Sequence, residues 1–169
     1  MNPALTADHV IRLLDLKPLT IEGGFFHETY RSHEQIFLPR YSGPRSLSTA
    51  IFYLLTPETF SRMHRVPGDE MFHFYLGDPV EMLQLSPEGP GEVTTMGQDI
   101  AAGMSLQHVV PGGWWQGARL KAGGRFALMG TTMAPGFDYT DYETSEAGPL
   151  VEQWPKAGEL IQALSFTHG

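Results

Sequence analysis

The segment Ser61-Arg-Met-His-Arg-Val-Pro-Gly-Asp-Glu-Met-Phe-His-Phe-Tyr-Leu-Gly77 reads as strand, turn, strand. Pro67-Gly-Asp69 is turn chemistry between two short runs rich in apolar and aromatic residues. The turn is expected to fold the two strands together, setting His64 and Glu70 on neighbouring strands that face one cavity. Side chains alternate along a strand. Arg62 and His64 therefore share one face, and Ser61 and Met63 the other. After the turn, Glu70, Phe72, Phe74 and Leu76 share a face, opposite Met71, His73 and Tyr75. With Arg62, His64 and Glu70 turned inward, His73 points away. That argues against a His64-Glu70-His73 metal triad unless a bulge re-aims one side chain.

Outward from this segment the pattern stays β. Residues 25–32, 46–55, 60–65, 70–76, 80–85, 93–96, 107–110, 115–120 and 125–133 are short runs bounded by Gly, Pro or Asp. Gly112-Gly113 and Gly123-Gly124 read as hairpin turns. A helix is expected over residues 6–16, capped by Thr6, and a second over 154–164 with Pro155 in its first turn. Regularly spaced short strands predict an all-β sandwich or barrel with helices as end pieces, in a single domain over residues 1–169. No repeat, low-complexity tract or linker divides the chain.

Composition narrows the function classes. Hydrophobic residues make up 41% and charged residues 18%, enough apolar content for a packed core. The net charge of −8 and the lack of a basic run argue against nucleic acid as a partner. No apolar stretch approaches the roughly 20 residues of a membrane-spanning helix. The first residues lack a signal-peptide pattern, so a cytoplasmic location is expected. Cysteine is absent, which removes disulfides, thiol catalysis and thiolate metal sites.

Two motifs resemble those of the cupin superfamily. Glu70 and Gly77 match its Glu-(six residues)-Gly element, His64 resembles the second histidine of its His-x-His, and Arg62 stands where the first would be. Pro111-Gly-Gly-Trp-Trp-Gln116 resembles Pro-x-Gly-x-x-His with Gln116 in the histidine position. Two of the usual four metal ligands are thus replaced. The ordered blocks at residues 22–32, 49–55, 61–66, 69–77 and 134–143 are similar to the cupin-5 family, long catalogued as a domain of unknown function. That resemblance implies a double-stranded β-helix (jelly-roll) barrel and a homodimer. It also implies kinship in fold with the sugar-nucleotide epimerases of the deoxysugar pathway.

Three function classes follow. The first is a small-molecule-binding isomerase or epimerase acting on a sugar-like or polar carbonyl compound. Its catalytic residues would be His64 as base, Glu70 and, as proton donor, Tyr30. Arg62 would clamp an anion, and Gln116, Trp115 and Phe72 would contact the ligand. Glu28, Tyr30 and Ser32 alternate on the first long strand, which would bring Tyr30 to the same face as Glu28. The second is a metal-dependent cupin in which His64 and Glu70 hold a divalent ion weakly, with Gln116 or His73 as third ligand. The third binds a ligand without reaction. Residues 135–143, acidic and aromatic, read as a lid over one end of the barrel.

Overall fold

The structure is a computed structural model that describes residues 5–165. Its strands in chain order are β1 (Lys17–Pro18), β2 (Phe25–Arg31), β3 (Gln35–Ile36), β4 (Arg45–Ser46), β5 (Thr49–Leu55), β6 (Phe60–Arg65) and β7 (Glu70–Gly77). There follow β8 (Val80–Leu85), β9 (Glu92–Met96), β10 (Gln107–Val110), β11 (Trp115–Leu120), β12 (Ala127–Met133) and β13 (Glu143–Thr144). Strands β1-β2-β5-β12-β7-β10 form one sheet and β13-β6-β11-β8-β9 another, while β3 and β4 pair by themselves. The two large sheets enclose a shared core that includes Tyr53, Leu55, Phe72, Phe74, Met82 and Met129. This is the all-β double-stranded β-helix expected from the sequence.

The turn at residues 66–69 makes no hairpin. β6 lies in the five-stranded sheet and β7 in the six-stranded one. Turn chemistry marks where a chain reverses; the sheet that the next strand joins is decided by long-range pairing. The glycine-rich turns at 111–114 and 121–126 likewise carry the chain between sheets. Two of these crossovers are joined. The Gly113 N–H donates to the Val66 carbonyl at 2.7 Å, and the Gly112 N–H to Asp69 Oδ1 at 2.8 Å. A Cβ at residue 112 would collide with the Pro67 carbonyl, so the approach requires glycine.

Bulges change which side chains face inward. Between β6 and β11 the register passes from His64↔Gln116 to Ser61↔Ala118, so Arg62 and Met63 together oppose Gly117. Their N–H groups bond elsewhere, Arg62 to the Glu22 carbonyl at 2.9 Å and Met63 to the Leu164 carbonyl at 2.8 Å. The extra residue brings Ser61, rather than Arg62, onto the face of His64. Met63 packs outward with Leu83, Trp154 and Leu164. A second bulge, between β7 and β12, moves Leu76 to an outer cluster with Leu128. A third, between β2 and β5, makes Thr29 the extra residue, so that Tyr30 pairs with Ala50.

Helix α1 (Ala7–Leu13) begins at Thr6, whose hydroxyl accepts from the His9 N–H, as expected. The expected helix over 154–164 is instead a run of short pieces. Within it lie a single 3-10 turn (Pro155–Ala157) and α3 (Gly158–Ala163), and a helix that was not expected, α2 (Ala147–Gln153), precedes it. Two sequence-predicted strands are trimmed as well. Residues 46–55 split after β4, which pairs with β3, and the last long strand starts at Ala127 rather than Arg125.

The turn before β2 depends on Gly23, which has φ of +109° and leaves no room for a Cβ against the Phe60 carbonyl. Gly23→Ala is expected to cost about 2 kcal/mol or more in urea unfolding. Gly148→Ala, in α2 with open space around it, should instead be neutral or gain about 0.5 kcal/mol.

Candidate functional site

Between the two sheets lies a cavity of about 60 Å³. Its polar wall is made by Glu22, His64, Glu70 and Tyr142, and its apolar wall includes Phe26, Ile51 and Phe137. The side chains arrive from different elements: β6 and β7 from opposite sheets, the turn before β2, and the segment after β12.

Glu22 is set by its turn. The Gly23 N–H bonds the Leu19 carbonyl at 2.7 Å, and the Tyr53 hydroxyl donates to the Gly23 carbonyl at 2.9 Å. The Ser61 hydroxyl donates to Glu22 Oε1 at 2.6 Å, leaving Oε2 directed at His64 Nε2, 3.9 Å away. That gap is too long for a direct hydrogen bond.

His64 is buried, with its Nδ1 2.8 Å from the Arg62 carbonyl. A carbonyl only accepts, so Nδ1 carries the proton. In the neutral ring Nε2 then holds a lone pair. The bulge is what makes this bond available, because it turns the Arg62 carbonyl toward a ring two residues on. The imidazole stacks on Tyr142, with ring centroids 5.0 Å apart and planes at 19°.

Glu70 faces this pair from the other sheet. Burial pushes its carboxyl pKa up and Glu22 adds to the rise; His64 and hydrogen bonds from Gln116 and Thr131 oppose it. Gln116 is 2% exposed and donates from Nε2 to Glu70 Oε2 at 2.8 Å. The polar row continues beyond the cavity. Gln116 pairs with Gln84, whose amide contacts His108 Nε2, and burial holds the His108 ring toward its neutral form.

Residues 134–144 close over the cavity. Phe137 is tied by its N–H to Thr49 Oγ1 at 2.9 Å and by its carbonyl to the Arg31 guanidinium at 3.1 Å. The buried Arg45 holds Asp141 with two bonds of 2.6 and 2.7 Å. β13 then pairs with β6, Thr144 opposite His64. This frame sets Tyr142, whose hydroxyl is buried and has no hydrogen-bond partner among the described residues. Burial, with Glu22 close by, raises its pKa far above that of a free phenol, so the hydroxyl keeps its proton.

The sequence-predicted residues divide into two groups. His64 and Glu70 come together at the cavity, and Gln116 supports Glu70 from behind. Phe72 lies in the barrel core rather than on the cavity wall. Trp115 packs against the outer cluster under the C-terminal helices, with the Arg65 guanidinium 4.8 Å from its ring. Tyr30 is 55% exposed and outside the cavity lining, because the Thr29 bulge reverses its face. Arg62 sits within the β6 bulge and is not among the lining residues. His73 is turned away as expected, partly exposed, with ring nitrogens 3.1 Å from Thr132 Oγ1 and from Gln107 Nε2. Glu22 and Tyr142 are the site residues that sequence reading missed. The Gly23-Gly24 pair after Glu22 was the one local signal, since a left-handed turn fixes the side chain before it.

Metal chemistry of the usual cupin kind does not fit these side chains. No three His, Asp or Glu side chains among the described residues are grouped to hold an ion. Gln116 donates its amide nitrogen to Glu70 Oε2 at 2.8 Å, and a glutamine offers at most its amide oxygen where the cupin motif has an imidazole.

The family described as Cupin superfamily (DUF985) matches residues 8–145. An uncharacterized protein of Saccharomyces cerevisiae, YML079W, is 30% identical over 134 residues, which span 72% of this chain and 66% of that protein, just under two thirds of its length. Among solved structures, protein SO0799 from Shewanella oneidensis is 33% identical with a TM-score of 0.86, covering 98% of this chain and all of that one. A hypothetical protein from Leishmania major is 28% identical with a TM-score of 0.88, covering 96% of this chain and all of that one. No helix among the described residues is long and apolar enough to cross a membrane. With the family match running through the barrel, the Glu70 strand and the closing segment, the chain belongs to the DUF985 family of the cupin superfamily.

Proposed function

We propose that the cavity binds a small polar carbonyl compound and moves a proton on the carbon next to its carbonyl, an isomerase- or epimerase-like reaction. The observation that carries this reading is the stacked pair of His64 and Tyr142. The imidazole has its Nδ1 proton committed to the Arg62 carbonyl, and the phenol hydroxyl has no partner. One ring offers a base and the other a donor, in a space partly covered by Phe137, Tyr139 and Tyr142. The C–H bond breaks toward Nε2, and the electron pair moves onto the carbonyl oxygen as an enolate. The Tyr142 hydroxyl hydrogen-bonds that oxygen. Glu22 Oε2 faces the imidazolium so formed and stabilises it; the proton then returns to carbon. Tyr142 thus takes the donor role that sequence reading gave to Tyr30, and no step passes through a metal.

Exchange of the α-proton into deuterated water, followed by NMR across a panel of hydroxycarbonyl compounds, tests the reading. His64→Ala is expected to lower the exchange rate at least about 100-fold, and Tyr142→Phe about 10- to 100-fold, with folding intact by circular dichroism. Chelator treatment should leave exchange unchanged. Full exchange activity in His64→Ala would overturn the assignment.

Glu70 gives a stability test with a definite sign. Its carboxyl pKa is raised in the fold, so its contribution is fully present below the ordinary glutamate range and is lost as pH rises through the folded value. Glu70→Gln keeps an acceptor for Gln116 and removes the ionisation. The variant should match the parent near about pH 4 and be the more stable of the two near neutrality, in denaturant unfolding at both pH values. A difference that shrinks toward neutral pH would contradict the raised pKa.

A further inference from the structure

We infer that the cavity selects uncharged hydroxycarbonyl ligands and excludes their phosphate esters and carboxylates. This rests on the reading of the cavity as a proton-transfer site and narrows its substrate class. Three independent features of the cavity lead to it.

The first is charge. The lining contains Glu22, Glu28 and Glu70 and, among the described residues, no lysine or arginine. Glu28 is neutralised by Arg31, through bonds of 2.7 and 2.8 Å. Glu22 is held instead by the neutral Ser61 hydroxyl. Burial chiefly raises the pKa of Glu70, Tyr53 and Tyr142, and Glu22 adds to each rise across the space. The nearby cations do not reverse this. Arg62 pulls on the Tyr142 hydroxyl from within the bulge, outside the lining. A ligand phosphate or carboxylate would enter a partly desolvated space of its own sign.

The second is size. A buried water needs on the order of 10–15 Å³ of the same kind of volume. A cavity of about 60 Å³ therefore admits a handful of heavy atoms. A compact carbonyl with neighbouring hydroxyls is within that range; a hydrated phosphoryl group adds bulk as well as charge.

The third is the pattern of hydrogen bonds left open. The Tyr142 hydroxyl needs an acceptor. Glu22 Oε2 and the His64 Nε2 lone pair face each other across 3.9 Å and need donors. A carbonyl oxygen answers the first and hydroxyls answer the second. An ammonium group would satisfy the two acceptors yet leave Tyr142 unanswered, so a simple organic cation fits less well. Phe26, Ile51 and Phe137 cover the carbon skeleton.

The test is calorimetric titration of the full chain with dihydroxyacetone and dihydroxyacetone phosphate. Dihydroxyacetone is expected to bind, and the phosphate to bind at least about tenfold more weakly. Glu22→Gln should narrow that ratio, and Glu70→Gln serves as a second variant with the same expected direction. Dihydroxyacetone phosphate binding as tightly as dihydroxyacetone, or no binding of dihydroxyacetone, would overturn the inference. The result is separable from the proton-transfer test. A phosphate ester that binds and exchanges removes the charge rule and leaves the role of His64 standing. Dihydroxyacetone that binds without exchange does the reverse.

Discussion

The joint between two sheet-to-sheet crossovers is the constraint on which the site depends. The bonds from Gly113 to Val66 and from Gly112 to Asp69 lock residues 66–69 to residues 111–113. β6 and β11 leave this joint into one sheet, β7 and β10 into the other. His64 and Gln116 are register partners on the first pair; Glu70 and Val110 are partners on the second. The spacing that lets Gln116 reach across to Glu70 is thus inherited from backbone hydrogen bonds a few residues away. Gly112 is what allows the two turns to approach, since any side chain there would strike the Pro67 carbonyl. A hairpin would have placed His64 and Glu70 side by side on one surface. The crossover places them face to face, with room for a ligand between.

Inside that space the electrostatics are deliberately unbalanced. Two carboxyls, Glu22 and Glu70, share one histidine and no lining arginine. Burial disfavours ionisation of Glu70, and the Glu22 carboxylate adds to the effect. A core built only for stability would fill this volume with apolar side chains, as the neighbouring layer of Phe72, Phe74 and Met129 does. The polar groups are instead partly satisfied: Ser61 holds Glu22, Gln116 holds Glu70, and a carbonyl holds His64 Nδ1. What remains open is one oxygen, one ring nitrogen and one phenol. The proposed binding role rests on that remainder.

Much of this was readable from the sequence, and the failures share a cause. Period-2 alternation and turn residues located the strands, four of them to the residue, including Phe60–Arg65 and Trp115–Leu120. They also put His64, Glu70 and Gln116 inside and His73 outside. The errors fall at bulges. Alternation assumes one residue per register step, and an extra residue reverses every face beyond it. Tyr30 was expected inside and is outside because of Thr29; Ser61 was expected outside and is inside because Arg62 and Met63 share one step. A bulge is set by the partner strand, which no local pattern contains. Glu22 and Tyr142 were missed for a related reason, since both come from non-strand segments whose course is fixed by distant contacts, Phe60 for one and Arg45 for the other.

The bulges that defeat the alternation rule are also what make the site. Beside the irregular step in β6, the Arg62 carbonyl lies 2.8 Å from His64 Nδ1. That contact puts the ring proton on Nδ1 and leaves Nε2, the nitrogen the proposed reaction would use, with a lone pair. The Arg62 N–H bonds the Glu22 carbonyl, so the same stretch of backbone touches both His64 and the turn that carries Glu22. The Arg62 backbone thus makes these contacts, while its side chain is not among those that line the cavity. A metal-binding cupin needs a histidine side chain at that position. Here the main chain of the same residue orients the next histidine instead, and the ring it orients is one suited to carrying a proton.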